Sequence, residues 1–132
     1  MNGTIETTAA VIGATGPDTV EVRFKEGVRL TTKDVTEALE ARSRHFNAPH
    51  HVVMAAPTDL DFDIQVMSTD HCGKSEAEGI TRSITWVANS EFNVQLLNIY
   101  YAYFPSKVPL KVFEQEEEAL AWLADPARYS LN

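Results

Sequence analysis

ITRSITWVANSEFNVQLLNIYYAYFPSKVPLKVF, residues 80–113, is the segment that is most informative about the fold. Its first nine residues, Ile80–Ala88, are rich in β-formers and carry apolar side chains on both faces, as is typical of a central strand covered by helices. Ser90 then caps a helix that runs to about Phe104. A second strand follows at Val108–Phe113. A strand, a helix and a strand in close succession predict a parallel pair of strands joined by a helix.

The segments before this stretch predict an N-terminal hairpin. Thr19–Phe24 alternates apolar and polar residues, which indicates a half-buried strand. We expect Thr4–Ile12 to pair with it. The turn-rich residues Gly13–Asp18 would then join the two strands.

The remaining elements are marked by capping residues, apolar runs and charge. Thr31 or Thr32 caps a helix, and a short buried strand follows at His51–Ala56. Three glutamates at 116–118 crowd the first turn of a final helix, where carboxylates interact favourably with the helix dipole. Ile64–Gly79 suits a helix only in part. The whole order predicts an α/β fold with a mostly parallel sheet, an N-terminal hairpin and about four helices.

Length, charge and cysteine content limit the class of protein. A chain of 132 residues is expected to form one domain over residues 1–132. Its net charge of −8 weighs against binding to nucleic-acid phosphates and to anionic membrane surfaces. The single cysteine, Cys72, has no partner for an internal disulfide, and the N-terminus shows no secretory leader pattern. We therefore expect a cytoplasmic protein without a nucleic-acid or membrane partner.

The order of the elements resembles the anti-sigma-factor antagonist, or SpoIIAA-like (STAS), superfamily. The residues that carry the resemblance are EGVRLTTKDVTEALEAR (26–42), VVMAAP (52–57), residues 87–113 and EEEALAWL (116–123). They are similar to an uncharacterised bacterial branch in which an aromatic-rich helix lies between two strands and an acidic helix follows. The resemblance covers roughly residues 18–124 and implies a SpoIIAA-like fold, because its motifs are structural and not catalytic.

The same resemblance implies a protein without catalytic activity that works by binding a partner protein. Antagonists of this kind bind a kinase and are phosphorylated on a Ser or Thr in the loop after the third strand. Here that loop is PTDLDFDIQV (57–66), which has Asp61 and Asp63 near the expected position and so already carries negative charge. The candidate interaction loop comprises Thr58, Asp59, Asp61, Asp63 and Ser68.

No complete metal, cofactor or catalytic motif accompanies these aspartates. A calcium loop starting at Asp59 would need Gly where Ile64 stands and Glu where Asp70 stands. No His or Cys pair has the spacing of a zinc site, and VIGATGP (11–17) lacks the third glycine of a dinucleotide fingerprint. We expect no metal, no cofactor and no catalytic residue. The loop is then either an acidic recognition rim or simply solvated.

The helix over residues 90–104 has more apolar surface than one sheet face covers. Apolar residues recur along one side at Phe92, Leu96, Tyr100 and Phe104. The candidate partner or dimer face comprises Tyr100, Tyr101, Tyr103 and Phe104. A deeply buried helix would explain the pattern, and so would a second apolar face for a partner or a ligand. We expect a homodimer with Tyr101 or Tyr103 as the outward anchor.

Two functions are consistent with these observations. The leading hypothesis is non-catalytic protein–protein interaction in a regulatory role. The alternative is the binding of a small apolar or lipid-like ligand between sheet and helix, where some proteins of similar fold hold such molecules. A deep apolar cavity beside Tyr100 would favour the ligand, and a flat aromatic patch would favour the partner.

Overall fold

A six-stranded sheet forms the centre of the fold in the computed structural model, which describes residues 3–71 and 79–124. The strands in these ranges are β1 (Ile5–Glu6), β2 (Ala10–Gly16), β3 (Thr19–Phe24), β4 (Arg29–Leu30), β5 (His50–Ala55), β6 (Asp61–Phe62), β7 (Thr81–Val87) and β8 (Leu110–Phe113). The helices are α1 (Thr32–His45), α2 (Glu91–Tyr103) and α3 (Glu116–Ala124), and a 3-10 helix covers Ile64–Ser68. Cys72 lies outside the described residues.

The sheet is mostly parallel, as the sequence predicts. Its strand order is β1-β2-β3-β5-β7-β8, in which β1, β2 and β3 are antiparallel to one another in turn. From β3 onward the neighbouring strands run parallel. β4 and β6 form a separate two-stranded parallel sheet. The predicted α/β class with an N-terminal hairpin is therefore confirmed, and the described residues contain three α-helices and the 3-10 helix.

The N-terminal hairpin has different boundaries from those predicted. The chain already reverses near Thr7, whose backbone N–H donates to the carbonyl of Ala10 at 2.8 Å. β2 then continues through most of the predicted turn, and the turn itself is Pro17–Asp18. A Cβ on Gly13 would lie 2.9 Å from Cγ2 of Thr4, so a larger residue there would displace the Thr4 side chain. The glycine that indicates a turn in the sequence here permits the close approach of a residue that precedes β1.

Helices cover both faces of the central strands. Val52 and Met54 of β5 belong to the larger core, to which α1 contributes. Val53 belongs to a smaller core with Ala119 of α3. All six residues of β5 are buried. This double burial explains the continuous apolar run in the sequence, because a parallel strand covered on both faces has no polar side.

The starts of α1 and α2 are fixed by side-chain caps. Oγ1 of Thr31 accepts from the N–H of Asp34 at 3.1 Å, and the Asp34 carboxylate accepts from the N–H of Thr31 at 3.2 Å. Ser90 caps α2, since its Oγ accepts from the N–H of Asn93 at 3.1 Å. Ser90 was predicted as a cap, and of the two residues predicted for α1, Thr31 and Thr32, the structure uses Thr31.

A buried polar cluster joins the end of α1 to the starts of β5 and β7. Nη1 of Arg42 donates to Nε2 of His50 at 2.9 Å, and Nη2 donates to Oγ1 of Thr81 at 3.1 Å. Nδ1 of His50 lies 2.8 Å from the carbonyl oxygen of Ala48 and therefore carries the ring proton. Burial lowers the pKa of His50, and the charge of Arg42 lowers it further. The cluster thus requires a neutral His50.

Candidate functional site

Two of the three aspartates in the candidate interaction loop are bound to one arginine. Nη1 of Arg29 lies 2.9 Å from Oδ1 of Asp61, and Nη2 lies 2.9 Å from Oδ1 of Asp63. Nε of Arg29 also donates to Asp63, at 3.2 Å. We call these three residues the Arg29 clamp. The other candidate residues of the loop, which lie outside the clamp with exposed side chains, are Thr58, Asp59 and Ser68.

The pairing of β4 with β6 brings the clamp together. Arg29 is the register partner of Asp61, and Leu30 is the partner of Phe62. The N–H of Asp63 donates to the carbonyl of Leu30 at 2.8 Å. Because alternate residues of an extended segment point to the same side, both aspartates reach the arginine while Phe62 points away from it.

The three side chains of the clamp are exposed to solvent. The side chains of Arg29, Asp61 and Asp63 are 58%, 62% and 42% exposed. Ion pairs at such exposure contribute little to stability and are weakened by salt. The clamp is therefore a weak and adjustable contact, and its one positive charge offsets one of the three negative charges of Asp59, Asp61 and Asp63.

We call residues 60–71 the strap. The Arg29 clamp holds the N-terminal end of the strap, and Tyr100 holds its C-terminal end. The Tyr100 hydroxyl donates to the carbonyl oxygen of Thr69 at 2.6 Å and accepts from the N–H of His71 at 3.0 Å. The His71 ring stacks on the Tyr100 ring with 5.9 Å between centroids. Nε2 of His71 donates to the carbonyl of Val66 at 2.8 Å, and burial lowers the pKa of this histidine. Tyr100 thus ties the strap to α2.

An apolar cavity of about 80 Å³ lies beside Tyr100, between the strap, the sheet and helices α1 and α2. Its walls include Phe24, Met54 and Trp86 of the sheet, Leu39 of α1, Leu96 of α2 and Phe62 of the strap. The indole Nε1 of Trp86 donates to the hydroxyl of Tyr101 at 2.9 Å, so this polar pair is satisfied within the wall. Such a wall accepts apolar groups and offers a charged group no compensation for lost water.

Asn93 anchors the first turn of α2 beside this cavity. Its Nδ2 donates to the carbonyl oxygens of Pro57 at 3.0 Å and Ala88 at 2.9 Å. The side chain is 2% exposed. One amide therefore joins the loops after β5 and β7 to the start of the helix. Asn93 was not predicted from the sequence, because nothing local distinguishes it from an asparagine on the surface.

The four aromatic candidates of α2 are divided between its two sides. Tyr100 is 6% exposed, and Tyr101 is half-buried with its hydroxyl bound to Trp86. Tyr103 is 75% exposed. Phe104 is half-buried, with its ring centroid 5.1 Å from that of Tyr100. The expectation that Tyr101 faces outward is wrong. The helix is rotated so that Tyr101 contacts the sheet through Trp86 and Tyr100 contacts the strap through Thr69.

The solvent side of α2 carries a stripe of large apolar side chains. Phe92 is 66% exposed, Ile99 is 52% exposed and Tyr103 is 75% exposed. Spacings of seven and four residues place them on one side of a helix, and we call them the outer stripe. Glu91, at the first position, is the only charged residue of α2. Phe92 was predicted to lie on the same side as Tyr100, and Ile99 was not predicted to belong to a surface, although the spacing of seven and four residues is visible in the sequence.

The histidines do not gather at one site. Nδ1 of His51 lies 2.7 Å from Oγ of Ser83, whereas His50 turns to Arg42, so the two neighbours point to opposite faces as expected for a strand. Within residues 3–71 and 79–124, no group of three or more His, Cys, Asp or Glu side chains is placed to hold a metal ion. No helix in this part of the chain is long and apolar enough to cross a membrane.

Comparison with known proteins gives a family and a fold. The model of a family described as Domain of unknown function (DUF7793) matches residues 18–126. An uncharacterised protein of the DUF3478 family with a SpoIIAA-like fold, from Shewanella loihica PV-4, is similar in structure over 93% of this chain and 92% of that chain, with a TM-score of 0.50 and 16% sequence identity. No curated protein matches the chain. The expected SpoIIAA-like fold is confirmed, and at this identity the likeness concerns the fold alone.

Proposed function

Since the chain belongs to the DUF7793 family and has a SpoIIAA-like fold, we propose that it is a cytoplasmic, non-catalytic domain that acts by protein–protein contact through α2. The observation that carries this proposal is the outer stripe. Three large apolar side chains stand in water on one face of a helix whose only charge is at its first residue. Contiguous apolar surface of this kind is typical of a contact site.

The partner that suits the outer stripe best is a second copy of the chain. A chain with a net charge of −8 repels its copies over most of its surface, but the uncharged side of α2 permits close approach. In a two-fold pair of antiparallel helices the stripe meets itself, and the helix dipoles oppose each other favourably. Its three side chains supply on the order of 400 Å² per copy, about half of a standard interface, so the dimer is expected to be weak.

The chemistry of the described interior supports a role without catalysis. His50 and His71 have lowered pKa values, and each is held by hydrogen bonds inside the fold. The walls of the cavity are mainly apolar, and His71, which is among the lining residues, is bound through Nε2 to the carbonyl of Val66. Asp61 and Asp63 are engaged by Arg29 at the surface. These placements suit binding better than proton transfer.

Sedimentation equilibrium tests the dimer. The unmodified chain should be partly dimeric at high micromolar concentration, and Phe92→Ser combined with Tyr103→Ser should make it monomeric without loss of circular dichroism. Leu120→Ser is the matched control, because Leu120 is likewise a large apolar residue that is exposed, at 52%, but it lies on α3. A single monomeric species for the unmodified chain at these concentrations would refute the second copy as partner.

The cavity supports a second candidate function, the binding of a small apolar ligand. Its volume of about 80 Å³ is roughly half that of an engineered cavity that binds benzene or xenon. Xenon therefore suits the cavity as it stands. Xenon should shift the NMR signals of the lining methyl groups, and Leu96→Phe should abolish the shifts by filling space. Leu120→Phe is the surface control, and equal shifts in both variants would refute a specific site.

A further inference from the structure

We infer that the Arg29 clamp sets the size of the ligand that the cavity admits. With the clamp closed the cavity suits an atom or a group of xenon size. With the clamp released the strap moves aside, and the site takes a compact, uncharged apolar molecule of about the size of benzene. This inference rests on the ligand-binding function proposed above and adds to it a ligand class and a means of control.

The strap and its partner strand β4 form the part of the cavity wall with the shortest paired strands. Leu30, Phe62 and Val66 all line the cavity, and they come from β4, β6 and the 3-10 helix. β4 and β6 have two residues each, far fewer than the six and seven of β5 and β7 on the opposite wall. Short paired segments open more readily than the core strands of a sheet. Enlargement of the cavity is therefore expected on this side.

The pairing of β6 with β4 and the apolar packing of Phe62 and Val66 hold the middle of the strap, and two side-chain contacts that differ in kind hold its ends. At one end Arg29 binds Asp61 and Asp63 in water. At the other end Tyr100, which is 6% exposed, binds the backbone at Thr69 and His71. The exposed contact responds to salt and to surface charge, and the buried one does not. The clamp is thus the end that opens.

The chemistry of the wall defines the ligand. Its polar pair, Trp86 with Tyr101, is already joined, and Tyr100 is committed to the strap. His71 also lines the cavity, and its Nδ1 is buried without a hydrogen-bond partner among the described residues. An ionised ligand would lose its hydration without gaining a charged partner from this lining. A flat hydrocarbon ring meets Phe24, Trp86 and Leu96 with no such loss. The inferred class is therefore an uncharged aromatic or aliphatic molecule with few atoms.

Ligand titrations followed by NMR test the inference with xenon and benzene as probes. Two changes remove the clamp from opposite sides: Arg29→Gln, and Asp61→Asn combined with Asp63→Asn. The matched controls are Arg23→Gln, which breaks the surface pair of Arg23 with Glu21 at 2.8 Å, and Asp59→Asn, which removes an aspartate outside the clamp. Circular dichroism and urea midpoints verify that each variant is folded.

Both clamp variants should bind benzene at least about threefold more tightly than the unmodified chain, with xenon affinity unchanged. Sodium chloride at 1 M should move the unmodified chain toward the variants. Equal benzene affinity in clamp variants and controls, with xenon still bound, would overturn the clamp inference alone. Failure of every form to bind either probe would overturn the ligand-binding function itself, and the clamp inference with it.

Discussion

Removal of the Tyr100 hydroxyl measures how firmly the strap is tied to α2. Tyr100→Phe keeps the ring, with its contacts to Tyr101 and Phe104, but deletes the bonds to Thr69 at 2.6 Å and from His71 at 3.0 Å. A neutral hydrogen bond contributes about 1 kcal/mol net, and a group left without a partner in the interior adds to the loss. We expect the free energy of unfolding to fall by about 2 kcal/mol.

Urea denaturation followed by circular dichroism gives this number. The slope with denaturant should stay constant, so that the change appears in the midpoint. Tyr103→Phe is the control, because that hydroxyl belongs to a side chain that is 75% exposed and its loss should cost less than about 0.5 kcal/mol. Hydrogen exchange at the His71 amide should also accelerate in Tyr100→Phe. A loss of stability no larger than that of the control would refute the tether.

Four further outcomes are expected. Burial lowers the pKa of His50 below its ordinary value of 6.5, so the unfolded chain takes up a proton at higher pH than the folded chain does. The free energy of unfolding should therefore decrease as the pH falls from about 7.5 to 5.5. A urea midpoint that rises as the pH falls over this range would contradict the buried neutral ring. Replacement of Asp59, Asp61 and Asp63 by Asn should lower the melting temperature by no more than about 4 °C, since exposed ion pairs stabilise weakly. A much larger fall in a calorimetric scan would show that these carboxylates are needed for the fold. Asn93→Ala should cost about 2–3 kcal/mol in urea denaturation, because buried carbonyls lose their donor, and a cost below about 1 kcal/mol would remove its anchoring role. A strong chelator should leave the melting temperature unchanged, because we expect no bound metal, and a fall of several degrees would show one.

The elements that were predicted correctly have local signals. Thr31 and Ser90 mark the starts of their helices, because each side chain caps the helix by accepting from the N–H three residues further on. The buried strand at residues 50–55 is announced by a continuous apolar run. The N-terminal turn was misplaced because Gly13 lies inside β2 and against Thr4, a residue that precedes the neighbouring strand β1. Contacts between strands leave no mark in a local pattern.

The candidate site was less predictable because its contacts join distant parts of the chain. Arg29 is 32 residues from Asp61, and Asn93 is 36 residues from Pro57. No periodicity relates such pairs, and only the packed fold brings them together. The outer stripe could have been found, since Phe92, Ile99 and Tyr103 follow helical spacing. What the spacing does not give is the rotation of the helix, which decides which stripe meets the sheet.

Helix α2 has the cavity on one side and open solvent on the other, so the two proposed equilibria, ligand binding and dimerisation, would both involve this helix. Asn93 fixes its first turn, whereas its last turns contact the strap through Tyr100. A ligand that displaces the strap therefore acts near the end of the helix that displays Tyr103. If occupancy of the cavity changes the dimer constant by some factor, thermodynamic linkage requires that dimerisation change the ligand affinity by the same factor. Protein concentration would then act as an effector of ligand binding, so that a ligand titration repeated at several chain concentrations reports on both sides of the helix at once.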